Sequence, residues 1–176
     1  MAARIHDSVL QTLALVQREA GDPKRVAALA RRQERELRAW LYPGPQSEGS
    51  SLGAAIDEAA VEVEELHGVP VELVRTGDVP LDDRVEALVL AAREAMANAA
   101  EHSGADQVST FVDVGDDEIA VYVRDRGAGF DPDALPPNSH GIAESIRGRM
   151  ERAGGTATLV SSADGTEVEL RLRRQT

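Results

Sequence analysis

The spacing of hydrophobic residues predicts two helices near the start of the chain. Residues 2–20 contain neither proline nor glycine, and apolar side chains recur there every three or four positions, which is the spacing of one helix face. These positions are Ile5, Val9, Leu13 and Val16. The triplet Gly21-Asp22-Pro23 ends the first helix, and residues 24–41 are again free of both helix breakers. Residues 1–42 are therefore predicted to form an antiparallel helical hairpin.

The predicted hairpin cannot bury the apolar stripes of both its helices by itself. Two copies bury them by forming a four-helix bundle, so the pattern favours a homodimer; packing against the remainder of its own chain is the alternative. Residues 43–51 follow, with two prolines, two glycines and three serines, a composition typical of linkers. This linker separates the hairpin from a second predicted domain, residues 52–176.

The second predicted domain mixes helical and strand patterns. Helical spacing extends over 52–66, 82–101 and 142–153, and alternation over 69–74, 108–114, 118–124, 156–161 and 166–172. Both patterns are long enough to define separate elements. The sequence therefore predicts an α+β fold in which about three helices cover one face of a mixed sheet.

The charge balance excludes some classes of partner. The chain carries 19 Lys and Arg against 31 Asp and Glu, a net charge of −12, whereas nucleic-acid binding requires a basic face that displaces phosphate counterions. Lys24 is the one lysine of the sequence, and no apolar run approaches the roughly 20 residues that span a bilayer. Contact with nucleic acid or membrane is therefore not expected. The absence of cysteine excludes disulfides, thiolate zinc ligands and thiol nucleophiles.

One candidate group of polar residues lies on the long alanine-rich helix. Glu94, Asn98 and His102 follow one another at intervals of four and share a helix face. Asparagine is unfavourable inside a helix because its amide competes for backbone hydrogen bonds, and its amide oxygen is a good ligand for a hard cation such as Mg²⁺. The helix presents either a metal-binding face or a solvated polar stripe.

A second candidate group follows the predicted strand 118–124. Asp125 stands at the end of this strand, with Gly127 and Gly129 just after it, and glycines allow a backbone to approach a ligand closely. A buried carboxylate at this point can accept a hydrogen bond from an exocyclic amine such as that of adenine. The pattern Asp-x-Gly-x-Gly also occurs in simple turns, so it indicates a site only in combination.

Two later segments complete the series of candidate positions. A loop of a length typical of functional lids leads to Gly141 and Ile142 at a predicted helix start, where free amides and the helix dipole favour phosphate. Ser145 either caps this helix or contacts phosphate. Gly165 and Thr166 place a hydroxyl at the start of the last predicted strand.

Together and in this order, these elements resemble the nucleotide-binding domain of sensor histidine kinases, whose Bergerat fold is shared with gyrase and MutL. The resemblance implies that residues 52–176 form an α/β sandwich that binds ATP and Mg²⁺. Asn98 matches the magnesium ligand of the N box, where Glu94 is a catalytic residue, and Asp125 matches the G1-box residue that binds the adenine amino group. Further nucleotide-binding positions implied by the resemblance are His102, Gly127, Gly129, Gly141, Ile142, Ser145, Gly165 and Thr166.

The predicted hairpin carries a motif of the same family. Residues 4–11, Arg-Ile-His-Asp-Ser-Val-Leu-Gln, resemble the H box of the kinases that act on LuxR/NarL-type response regulators. A neutral histidine nitrogen is nucleophilic near pH 7, and Asp7 is placed to orient the ring of His6. The resemblance implies that His6 accepts a phosphoryl group from ATP and passes it to an aspartate of the regulator. It also implies that Gln11 positions a water for the reverse, phosphatase task.

These motifs imply the catalytic core of a two-component sensor histidine kinase, the cytoplasmic portion of a parent protein anchored in the membrane. Two features depart from the family pattern. Glu101 replaces the usual Arg or Lys, and Gly141 stands where relatives have a glycine pair. One alternative is a degenerate kinase that acts as a phosphatase or scaffold. Another is an anti-sigma-type serine kinase, which should lack the histidine-bearing hairpin.

Overall fold

The computed structural model describes residues 51–129 and 140–174, together with the isolated positions Gly21, Val26 and Ala30; for residues 140–142 it describes the backbone alone. The chain divides into two units, Met1–Gln46 and Ser47–Thr176, and the fold below belongs to the second. The predicted hairpin, apart from those isolated positions, lies outside the described residues, and so do His6, Asp7 and Gln11.

The described residues form three helices and five strands. In chain order these are α1 (Leu52–His67), β1 (Val71–Thr76), α2 (Asp83–His102), β2 (Val108–Val114), β3 (Glu118–Asp125), α3 (His140–Arg152), β4 (Gly155–Ser162) and β5 (Gly165–Arg173). Each element overlaps a predicted one, and the α/β domain with a mixed sheet is confirmed. No helix among the described residues is long and apolar enough to cross a membrane.

The five strands form one sheet in the order β1-β2-β3-β5-β4. β1 and β2 are parallel, whereas β3 is antiparallel to both β2 and β5, and β4 is antiparallel to β5. Residues alternate along β2 between buried and exposed positions, because successive side chains point to opposite faces of a sheet. Because β5 lies between β3 and β4 in this order, the last strand of the chain is inside the sheet, next to β3, which ends at Asp125.

The hydrophobic core lies between the helices and one face of the sheet. Its largest fully buried side chains include Leu52, Ile56, Leu88, Met96, Ile119, Met150, Leu170 and Leu172. Burying such a side chain contributes roughly 1.5–3 kcal/mol. The central helix α2 approaches its neighbours closely because its buried face is rich in alanine, at Ala91, Ala92 and Ala95. Glu94 and Asn98 lie outside this buried face and are only partly buried.

Side chains at the helix starts hold α1 and α2 in place. The Ser51 hydroxyl accepts a hydrogen bond from the Ala54 amide at 3.3 Å. The Asp82 carboxylate accepts from the amides of Arg84 and Val85 at 3.0 and 2.8 Å. Such caps satisfy amides that have no partner inside the helix and stabilise it by about 1 kcal/mol each. Both helices therefore begin at residues that these hydrogen bonds define.

Candidate nucleotide-binding site

Asp125 occupies the end of β3 and is 4% exposed. Its Oδ1 accepts hydrogen bonds from the amides of Gly127 at 2.9 Å and Thr166 at 3.3 Å. Its other oxygen, Oδ2, receives no hydrogen bond from the described residues. The carboxylate is therefore held by two backbone amides on one side and keeps an acceptor on the other, which suits a ligand that donates an N–H.

Three glycines near Asp125 occupy positions where a side chain would collide with backbone. A Cβ at Gly127 would meet the Ser103 carbonyl, one at Gly129 the Ser162 carbonyl, and one at Gly165 the Asp125 carbonyl. Gly129 and Gly165 also have positive φ angles of 60° and 119°, which favour glycine. Gly165 thus packs against the backbone of Asp125, while Gly127 and Gly129 pack against the backbone at the ends of α2 and β4.

Two hydroxyl groups lie beside this arrangement. The Thr166 and Ser161 hydroxyls are 3.0 Å apart, across the register that pairs these two residues between β4 and β5. Thr166 also donates its amide to Asp125, although the two residues are 41 positions apart in the sequence. The predicted Thr166 hydroxyl therefore lies in the same neighbourhood as the predicted adenine-binding carboxylate.

The C-terminal end of α2 contacts the same loop, since the Ala128 amide donates to the Ser103 carbonyl at 3.2 Å. One to two turns earlier, Asn98 is partly buried, and its side chain has no hydrogen bond within the described residues. His102 is exposed and lies 4.0 Å from Glu101, which is equally exposed. Asn98 thus presents a free amide, while His102 points largely into solvent.

Glu94 belongs to an ion pair that the sequence did not predict. Its Oε2 lies 3.4 Å from Nη2 of Arg149 on α3, and both side chains are partly buried. Nε of Arg149 is buried and has no hydrogen-bond partner in the part of the chain that the structure describes. The two residues are 55 positions apart, so no local spacing signals the pair.

The helix α3 begins earlier than the sequence predicts. Its first residue is His140, so Gly141 and Ile142 lie in its first turn, where amides are free. Ser145 lies inside the helix, partly buried, and the interpretation of Ser145 as a helix cap is wrong, since a cap residue precedes the helix. Its alternative, a phosphate contact, stays a prediction.

The residues present fit an adenine nucleotide with Mg²⁺. The oxygen of Asp125 that receives no hydrogen bond from the described residues suits an exocyclic amine. The Asn98 amide supplies an oxygen donor of the kind that Mg²⁺ prefers. Within the described ranges, the structure contains no cluster of three or more Asp, Glu, His or Cys side chains that could hold a metal ion by itself. Mg²⁺ usually completes its shell with phosphates and waters, so one or two protein donors suffice.

Residues 20–155 match the histidine kinase-like ATPase domain family. This match covers more than half of the sequence, and the chain belongs to that family of ATPase domains. The resemblance to sensor histidine kinases that the motifs indicated is therefore confirmed.

Curated relatives carry the names of sensor proteins. The chain is 28% identical to the nitrate/nitrite sensor protein NarX of Escherichia coli K12, covering 92% of this chain and 32% of NarX. It is 28% identical to the sensor histidine kinase NarS of Mycobacterium tuberculosis, covering 99% of this chain and 45% of NarS. It is 26% identical to the sensor histidine kinase LiaS of Bacillus subtilis, covering 98% and 52%. The chain thus spans about a third to a half of these relatives.

Solved structures share the fold. The blue-light activated histidine kinase EL346 of Erythrobacter litoralis aligns with a TM-score of 0.61 at 20% identity, over 97% of this chain and 57% of that one. The mycobacterial sensor histidine kinase MprB aligns with a TM-score of 0.57 at 18% identity, over 73% and 97%. The ATP-binding domain of PrrB from Mycobacterium tuberculosis gives 0.56 at 22% identity, over 74% and 100%.

Proposed function

We propose that this chain is the catalytic core of a two-component sensor histidine kinase. The domain 52–176 binds Mg-ATP, the γ-phosphoryl group passes to His6, and an aspartate of a LuxR/NarL-type response regulator receives it. The observation that carries the proposal is the buried Asp125 carboxylate. One of its oxygens receives no hydrogen bond from the described residues, and the glycines near it leave no room for a Cβ atom. The domain belongs to a family of ATPase domains.

Asp125 selects adenine in this proposal. Its Oδ2 accepts a hydrogen bond from the exocyclic amine of the base, while the amides of Gly127 and Thr166 fix Oδ1. Guanine presents a carbonyl oxygen where adenine presents this amine, and two acceptors facing each other would leave both unpaired. The site therefore discriminates by the cost of an unpaired buried acceptor, about 1–3 kcal/mol.

Asn98 would hold Mg²⁺ through its amide oxygen, and Glu94 would act on the transferred group as the catalytic carboxylate. Mg²⁺, when bound, neutralises phosphate charge and holds the reacting group in place. His102, Gly141, Ile142 and Ser145 are proposed on the phosphate side, with Gly127, Gly129, Gly165 and Thr166 around the remainder of the nucleotide. Free amides in the first turn of α3 favour phosphate oxygens.

His6, Asp7 and Gln11 complete the proposal from the hairpin. Asp7 accepts a hydrogen bond from one ring nitrogen of His6, which leaves the other nitrogen to attack the γ-phosphorus as the bond to ADP breaks. The regulator aspartate then displaces histidine from phosphorus, and Gln11 orients a water for hydrolysis of the resulting acyl phosphate. Support comes from the motif and from relatives named sensor histidine kinases.

The proposal includes a homodimer through residues 1–42, a linker over 43–51, and a parent protein anchored in the membrane with this portion in the cytoplasm. The resemblance to sensor kinases supports these statements. In this arrangement the linker allows the ATP-binding domain to reach His6.

Incubation with Mg²⁺ and γ-labelled ATP tests the proposal, with His6→Gln and Asn98→Ala as paired variants. We expect label that is stable to base and labile to acid, and absent from both variants. Acid-stable label that survives His6→Gln would indicate a hydroxyl kinase instead. Bound ATP without label would indicate a phosphatase or scaffold.

A further inference from the structure

The ion pair between Glu94 and Arg149 joins the two helices that carry the proposed phosphate-side residues. Glu94 lies on α2 and Arg149 on α3, with 27% and 32% of their side chains exposed. Charges that are partly shielded from water interact more strongly, and are screened less by salt, than charges at the open surface. This pair can therefore influence a charged ligand nearby.

Glu94 precedes Asn98 by one helical turn, so the two side chains lie on the same face of α2. Asn98 is the proposed Mg²⁺ ligand, which places the Glu94 carboxylate close to the triphosphate of a bound nucleotide. The carboxylate and the triphosphate are both negative, and they repel each other unless a positive charge offsets one of them. Arg149 supplies that charge from α3.

We propose that Arg149 is a positioning residue for the nucleotide: its ion pair with Glu94 cancels the repulsion between that carboxylate and the triphosphate. This inference rests on the proposed function and adds a determinant of phosphate affinity that lies outside the nucleotide motifs. The competing interpretation is direct contact between Arg149 and a phosphate, for which its Nε, unpartnered among the described residues, would supply a donor.

A double-mutant cycle separates these two interpretations. Arg149→Leu is expected to lower the affinity for ATP about tenfold. The loss should be larger for ATP without Mg²⁺, because free ATP carries more negative charge than Mg-ATP. Glu94→Gln is expected to leave the affinity within about twofold, because it removes the repelling charge. The double variant should then recover to within about threefold of Glu94→Gln. Arg149→Lys should keep most of the affinity, since it keeps the charge.

The chain provides a matched control on the same helix. Arg93 immediately precedes Glu94 and pairs with Glu62 of α1 at 3.0 Å. Because successive residues lie about 100° apart around a helix, Arg93 faces away from Asn98. Arg93→Leu removes an equal charge from another, more exposed interhelical pair, and we expect less than a twofold change in ATP affinity.

Adenosine binding and thermal unfolding of the unliganded variants complete the test. Adenosine carries no phosphate, so Arg149→Leu should leave its affinity unchanged, whereas a structural defect would weaken adenosine and ATP alike. If Arg149→Leu lowers ATP affinity equally in the wild-type protein and in the Glu94→Gln variant, the proposal is overturned in favour of direct contact. Wild-type protein that binds neither ligand would instead refute the proposed function, and this inference with it.

Discussion

Two carboxylates are buried among the described residues of this domain, and their surroundings differ. Glu64 near the end of α1 is 7% exposed, and its Oε1 accepts the Val71 amide at 2.8 Å, which ties the helix to the first strand. Asp125 at the end of β3 is 4% exposed and accepts two amides through one oxygen. Both carboxyl groups are therefore buried and accept hydrogen bonds from backbone amides, as most buried polar groups do.

The difference lies in what surrounds each carboxylate. Three glycines whose Cβ atoms would collide with backbone lie around Asp125, whereas Glu64 links a helix end to a strand start. A buried carboxylate with a backbone partner can thus be purely structural. A free oxygen together with glycines required by close packing is the combination that indicates a binding site.

The largest effect is expected when the Asp125 carboxylate is replaced by its amide, because this change alters the proposed contact with the nucleotide. Asp125→Asn keeps an oxygen for the amides of Gly127 and Thr166, but it can turn an N–H₂ group toward the adenine amine. We expect affinity for a fluorescent ATP analogue to fall by about 100-fold or more, with the thermal midpoint little changed. Binding within about threefold of wild type would remove Asp125 from the site.

Adding a Cβ tests whether the glycines are required by packing. Gly165→Ala places a methyl group against the Asp125 carbonyl at a positive φ, and we expect the free energy of unfolding to fall by about 2–3 kcal/mol, with a loss of nucleotide affinity. Gly104→Ala is the matched control, because Gly104 has a φ of 68° and no atom of the described residues within 4 Å of its Cβ position. It should cost about 1 kcal/mol and leave affinity unchanged; equal effects in urea denaturation would contradict the packing argument.

The smallest effect is expected at the other carboxylate. Glu64→Gln retains an oxygen that can accept from the Val71 amide, so the free energy of unfolding should fall by about 1 kcal/mol. Affinity for the ATP analogue should stay within about twofold of wild type. A fall in affinity comparable to that of Asp125→Asn would erase the distinction between the two carboxylates.

The sequence predicted local features of this domain better than long-range ones. Alternation along β2 and β3 and helical spacing along α2 depend on neighbouring residues, so these elements could be located from pattern alone. The start of α3 was placed two residues late. The cap role considered for Ser145 fits neither start, since Ser145 lies inside the helix in both cases. The predicted roles of Asp125 and Asn98 stay predictions, although the structure brings Asp125 and Thr166 together as the motif order implied.

Other features left no signal in the sequence. The insertion of β5 between β3 and β4 depends on pairing between distant segments, which no local period encodes. Ser103 and Ser162 oppose Gly127 and Gly129 through their backbone carbonyls, and every residue type has a carbonyl. The pair of Glu94 with Arg149 joins separate helices and depends on how α2 and α3 pack.

The position of β5 also constrains the order in which the domain assembles. Asp125 and Thr166 are 41 residues apart, so the Asp125 carboxylate acquires its second amide only when β5 has entered between two strands that precede it. Pairing of such distant segments is slow compared with helix formation. During synthesis, the ribosome must release β5 before this site exists. A nucleotide added during refolding should therefore bind late, and it should stabilise the completed sheet without accelerating the early steps.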